Sequence, residues 1–122
     1  MQKTALLIDD DPDQLLVLKL FLERVGFRVS TARSGAHGLR IADEGLPSVL
    51  VCDLRMPEMD GFETVRRFRE KEGSVDARIP VIVLTASPNV EQQALDAGAD
   101  FVCLKRAATG DLKRILSGIF KR

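Results

Sequence analysis

Four short apolar runs and one alternating run, each followed by a longer stretch of helical spacing, constrain this chain more than any other feature. The runs are Ala5-Leu6-Leu7-Ile8, Phe27 to Ala32, Val49-Leu50-Val51-Cys52, Pro80 to Leu84 and Phe101 to Leu104. Runs this short and this apolar suit strands covered on both faces. Phe27 to Ala32 alternates and contains Val29 and Thr31, which favour a strand. Between the runs, Asp11-Pro12 reads as an N-cap followed by a first-turn proline. Leu15, Leu18, Leu22 and Val25 then share one helix face, and Gly26 closes the helix. A second helix, Ser34 to Glu44, packs through Leu39 and Ala42 and stops at Gly45 and Pro47. A loop with Pro57 and Gly61 leads to a third, carrying Phe62, Val65 and Phe68. Ser87-Pro88 caps a short fourth helix with Val90, Ala94 and Ala97, ended by Gly98. The last helix sets Leu112, Ile115, Leu116 and Ile119 on one face. Strand and helix repeated five times predict an α/β fold, a doubly wound parallel sheet with helices on both faces and right-handed crossovers.

With 122 residues and no linker, repeat or low-complexity segment, residues 1–122 read as one domain, large enough for a core without disulfide or metal props. Eighteen basic side chains balance eighteen acidic ones, which argues against a strongly basic nucleic-acid binder. The local basic end (Lys105, Arg106, Lys113, Arg114, Lys121, Arg122) reads mostly as solvated helix surface. Cys52 and Cys103 sit inside apolar runs and are expected to be buried free thiols. No apolar stretch reaches the ~18 residues needed to cross a membrane. Met1-Gln2-Lys3-Thr4 runs directly into a strand and is no signal peptide. A reducing cytoplasm fits these features. His37, the one histidine, is expected to be solvated on the second helix, and Met56 and Met59 to pack the loop.

Four strands end in polar residues of reactive type: Asp9-Asp10, Asp53, Thr85 and Lys105. In open α/β sheets, ligands bind beyond the carboxyl ends of the strands, so these residues should converge on one crevice. Two carboxylates ~4 Å apart repel by roughly 4 kcal/mol at an effective dielectric near 20. Such a site should therefore show perturbed protonation or bind a cation, and hard oxygen ligands suit a magnesium-like ion that keeps several waters. Lys105 supplies charge for phosphoryl oxygens, Thr85 a hydroxyl donor, and a carboxylate nucleophile attacking phosphorus gives an aspartyl phosphate.

Ile8-Asp9-Asp10-Asp11-Pro12, Cys52-Asp53-Leu54-Arg55-Met56-Pro57-Glu58-Met59-Asp60-Gly61, Leu84-Thr85-Ala86 and Gly98-Ala99-Asp100 through Lys105 resemble the receiver domain of two-component response regulators, over essentially the whole chain. The resemblance implies a flavodoxin-like (βα)5 fold of strand order 2-1-3-4-5. It implies that Asp53 accepts a phosphoryl group from a histidine kinase or phosphotransfer protein. Magnesium, or manganese in its place, would be bound directly by Asp10, together with Asp53 and the backbone carbonyl of Arg55, with Asp9 contributing nearby or through water. Lys105, Thr85 and the Ala86 amide would bind the phosphoryl oxygens, while Arg55 and Ser87 occupy positions that tune phosphorylation and hydrolysis. Such a domain catalyses only its own phosphorylation and dephosphorylation. It switches a face formed by the fourth helix, fifth strand and fifth helix, toward a downstream protein or a second copy in a homodimer, with no direct nucleic-acid or membrane contact.

Three departures fall on that output face. Arg106 stands where the family has a proline, so the Lys105–Arg106 bond is expected to be trans, or strained if cis. Val102 holds the aromatic switch position, and Phe101, one place earlier, should point the opposite way. The Thr85–Gly98 segment is about two residues short, which should shorten the fourth helix or the loop before it. The alternative function is a receiver-like interaction domain that works without phosphorylation. A haloacid-dehalogenase-like phosphatase would want an aspartate where Arg55 stands, and a flavin carrier would want a Trp or Tyr that the chain lacks. The chain ends just after its last helix, which fits either a single-domain regulator or a receiver cut from a longer protein.

Overall fold

Each run becomes a strand: β1 (Lys3–Ile8), β2 (Phe27–Ala32), β3 (Val49–Asp53), β4 (Val81–Thr85) and β5 (Phe101–Leu104). The intervening helices are α1 (Pro12–Arg24), α2 (Gly35–Glu44), α3 (Gly61–Glu72), α4 (Glu91–Ala97) and α5 (Ala108–Ile119). The structure, a computed structural model, describes residues 3–56, 59–73 and 78–120. Expectations for Met1, Gln2, Pro57, Glu58, Lys121 and Arg122 lie outside the described residues. All five strands are parallel, in the order β2-β1-β3-β4-β5.

Strand alternation splits the core in two. Leu6, Ile8, Leu50, Cys52, Val81 and Val83 face α2, α3 and α4, through Leu39, Ala42, Val65, Phe68 and Ala94. Ala5, Leu7, Val49, Val51, Ile82, Leu84 and Cys103 face α1 and α5, through Leu15, Leu18, Leu22, Leu112 and Ile115. Each fully buried leucine, such as Leu7, Leu18 or Leu112, contributes about 1.5–3 kcal/mol of transfer free energy. The two-sided cover explains why the central strands β3 and β4 are apolar up to their last residues, Asp53 and Thr85.

The caps follow the sequence. The Asp11 carboxylate accepts from the amides of Asp13 and Gln14, Ser34 caps α2 through the His37 amide, and Asp60 caps α3 through the Glu63 amide. His37 is exposed, Met56 is buried and Met59 packs against the core. Both cysteines are buried and free.

The 88–97 segment is not one helix. Pro88–Val90 forms a 3-10 turn capped by Ser87, and α4 proper has only seven residues before Gly98, at φ +119°, reverses the chain. The far end of α4 is held by a polar clamp. Arg69, on α3, donates to both oxygens of Glu72, to the carbonyls of Ile79 and Gly98, and to Asp100. Asp100 also accepts from Arg78 and from the amide of Val81. No peptide bond among the described residues is cis, so Lys105–Arg106 is trans; the chain leaves β5 through a 3-10 turn, Lys105–Ala107. Phe101 is exposed whereas Val102 packs on the α3–α4 side and Cys103 on the α1–α5 side, as strand alternation required.

Candidate functional site

Strand register brings the expected residues together. Ile8 lies level with Cys52, so Asp9 and Asp53 emerge side by side. Asp53 is level with Leu84, which sets Thr85 one step beyond, and Thr85 is level with Leu104, which sets Lys105 a further step out. The strand ends form a stair, and residues up to 96 positions apart share one cleft. Leu54 joins it by donating to the carbonyl of Leu84, and Gly61 folds the next loop back by donating to the carbonyl of Leu54. That return needs glycine: a Cβ there would sit 2.4 Å from the Asp53 carbonyl oxygen.

Asp9, Asp10 and Asp53 each offer a carboxylate oxygen within 4.8 Å of the others. Asp9 is fully buried; its Oδ1 accepts from the Asp11 amide at 3.0 Å, while its Oδ2 has no partner. Burial pushes the Asp9 carboxyl up to about 6; the Asp11 amide pulls it down and the charge of Asp53 adds to the rise. A buried carboxylate oxygen with no donor, beside two more carboxylates, is the arrangement that a divalent cation satisfies, so these residues fit a magnesium ion.

Asp53 is 1% exposed, yet both its oxygens are engaged at the cleft floor. Oδ2 accepts from Lys105 Nζ at 3.0 Å and Oδ1 from the Arg55 amide at 3.3 Å. Burial lowers the Lys105 ammonium, but the hydrogen bond to Asp53 and the charges of Asp53, Asp9 and Asp10 outweigh it, so the net shift is upward. Asp53, Arg55, Thr85, Ala86, Ser87 and Lys105 line one open cleft of about 510 Å³.

Thr85 is placed at the cleft but not on Asp53. Its hydroxyl donates to the Ser87 carbonyl at 3.1 Å and accepts from the Ser87 amide at 3.0 Å, a local turn that threonine forms readily. Alternation gives the reason: Leu84 faces the α1–α5 side, so Thr85 turns to the α4 side, whereas Asp9 and Asp53, following Ile8 and Cys52, emerge on the α1–α5 side. Sequence reasoning missed Arg33, whose guanidinium donates to the backbone carbonyl of Asp10 at 3.4 Å. A cation just after β2, the neighbour of β1, was the available signal.

A parallel sheet of this order, with three carboxylates, a lysine and a threonine at its carboxyl edge, is a doubly wound α/β fold with an acidic cleft at its strand ends. The chain belongs to the response regulator receiver domain family, whose model matches residues 5–117. It is 36% identical over 120 residues to the transcriptional regulatory protein PrrA of Mycobacterium tuberculosis, covering 97% of this chain and 50% of PrrA. The chain thus spans about half the length of that relative. The chemotaxis protein CheY4 of Vibrio cholerae superimposes with a TM-score of 0.88 at 26% identity, over 98% of this chain and all of that one. TrrA of Thermotoga maritima, solved in complex with Mg2+ and BeF, superimposes with a TM-score of 0.84 at 28% identity, over 97% and 99% of the two chains. Among the described residues, no helix is long and apolar enough to cross a membrane.

Proposed function

We propose that residues 1–122 act as one phosphorylation-driven signalling domain in which Asp53 is the phosphoacceptor. The single observation that supports this best is the pairing of Lys105 with Asp53 beside the unpartnered Asp9 Oδ2. A carboxylate oxygen of Asp53 attacks phosphorus of a phosphohistidine on a kinase or phosphotransfer protein. The P–N bond breaks, the imidazole nitrogen keeps the electron pair, and an aspartyl phosphate forms. Asp9, Asp10, Asp53 and the Arg55 carbonyl would hold magnesium, which supplies positive charge that offsets the carboxylates and polarises the phosphoryl group. Lys105 releases Asp53 Oδ2 and takes up a phosphoryl oxygen, and the Ala86 amide takes another.

Thr85 is the natural signal carrier. Turning its hydroxyl toward a phosphoryl oxygen breaks its donation to the Ser87 carbonyl. That frees the turn at Ser87 and the Pro88–Val90 segment behind it, and changes the surface offered by α4, β5 and α5 to a downstream protein. With no bulky aromatic at position 102 and a seven-residue α4, the change should concentrate in residues 86–90. The domain turns over no metabolite, and its free buried thiols suit the cytoplasm.

The test is magnesium-dependent labelling with acetyl phosphate, or beryllofluoride binding, in the wild type and in Asp53→Asn. A mass increase or amide shifts at residues 86–90 in the wild type alone is expected. Identical behaviour of the two proteins would leave only a phosphorylation-independent interaction domain.

A further inference from the structure

A second cleft lies at the opposite end of β1, roughly 20 Å from the acidic one by strand rise. It has a volume of about 520 Å³ and is lined by Lys3, Arg24, Phe27, Lys113, Leu116 and Phe120, among others. Among the described residues, no carboxylate lines it. Phe27 and Phe120 meet edge to face with ring centres 5.4 Å apart. The Lys3 ammonium sits 5.5 Å from one ring centre and 5.3 Å from the other, so both faces hold it in place.

Elsewhere in the chain, Lys19, Arg66, Arg67, Arg69, Lys71, Arg78, Lys105 and Arg114 each pair with a carboxylate. Among the described residues, Lys3, Arg24 and Lys113 pair with none. Among the described residues Arg28, Arg33, Arg40, Arg55 and Arg106 also pair with no carboxylate, but none of them lines this cleft. A helix C-terminus attracts cations and accounts for Arg24, in the last turn of α1. It does not account for Lys3, which starts a strand, or for Lys113, in mid-helix. Three elements each bring one unpaired cation to an aromatic-walled cavity of ligand size.

We propose that this cleft binds a small aryl anion, a phosphate or carboxylate carried on a ring. The ring lies against Phe27, Phe120 and Leu116, and the anionic group reaches Lys3, Arg24 and Lys113. The site is independent of the reading of the acidic cleft, since it shares no residue with it.

Phenyl phosphate titrated into the labelled protein in metal-free buffer, followed by amide NMR, tests this. Saturable shifts are expected at Lys3, Gly26, Phe27 and Ser117. Inorganic phosphate, which lacks the ring, should bind at least about tenfold more weakly. Lys113→Glu and Arg24→Glu, both at exposed positions, should each cost about tenfold or more, with unchanged circular dichroism and unchanged acetyl-phosphate labelling. The proposal is overturned by no binding, by shifts confined to residues around Asp53, by equal affinity for the two phosphates, or by full affinity in both charge-reversed variants.

Discussion

Lys105 Nζ lies 3.0 Å from Asp53 Oδ2, although 52 positions separate the two residues in sequence. The ammonium crosses from the end of β5, past β4, to the end of β3, into a region that already holds Asp9 and Asp10. Replacing Lys105 with methionine keeps the length and removes the charge. Labelling of Asp53 by acetyl phosphate should slow by about 10²–10³-fold, the usual loss for one preorganised donor to a developing oxyanion. Intact-mass kinetics measure this, and an unchanged rate would remove Lys105 from the reacting set.

Asp9 gives a pH dependence with a definite sign. Its carboxyl is held at about 6, above its ordinary 3.8, so the folded protein grips that proton more tightly than the unfolded chain. This contribution to stability is full below about pH 4 and is lost as pH rises through about 6. In metal-free buffer, Asp9→Asn should flatten the fall in stability between about pH 4 and 7 seen in urea melts. Magnesium competes with the same proton, so its apparent affinity should weaken as pH falls below about 6. Calorimetric titration of magnesium at two pH values checks it, and chelation should abolish acetyl-phosphate labelling.

Gly61 tests how closely the loop must approach the strand end. A Cβ there would meet the Asp53 carbonyl oxygen at 2.4 Å and Leu54 Cα at 2.5 Å, both backbone atoms that cannot swing aside. Gly61→Ala should cost about 1–3 kcal/mol and displace the segment that carries Arg55. Equilibrium unfolding reads the first effect, and weakened magnesium binding at constant pH the second.

Arg69 ties α3 to the start of β4 and the turn after α4, with a side chain only 13% exposed and Glu72 at 8% beside it. Arg69→Ala would leave the Glu72 carboxylate buried without its partner, at a cost of about 3–5 kcal/mol. Denaturant midpoints measure the loss. The remaining folded protein should still be labelled on Asp53, because the clamp lies at the amino edge of the sheet, away from the site.

Strands, caps and the reactive set were legible because each rests on local or periodic chemistry. A four-residue apolar run bounded by Asp9 or Asp53 is too short for a helix and reads as a covered strand, and Asp11-Pro12 and Ser34 satisfy helix amides within their own turn. Convergence of Asp9, Asp10, Asp53, Thr85 and Lys105 was also legible, since a parallel α/β sheet sends every strand end to the same edge. The split of the 88–97 segment was less so: Ser87-Pro88 starts a 3-10 turn as readily as an α-helix.

What the sequence determined alone is therefore a parallel sheet and the residues at its carboxyl edge, both carried by patterns that repeat along the chain, while the strand order followed from the family resemblance. Only the tertiary structure decided how those residues engage one another. It placed Lys105 on Asp53, left Asp9 Oδ2 unpartnered and turned Thr85 onto Ser87, because strand register and alternation select contacts that no local pattern encodes. It likewise joined Arg69 to Asp100, and Lys3 to Phe27 and Phe120. Each of these is an ordinary surface-type or core-type residue in its own segment and gains a distinct environment only when distant elements pack together.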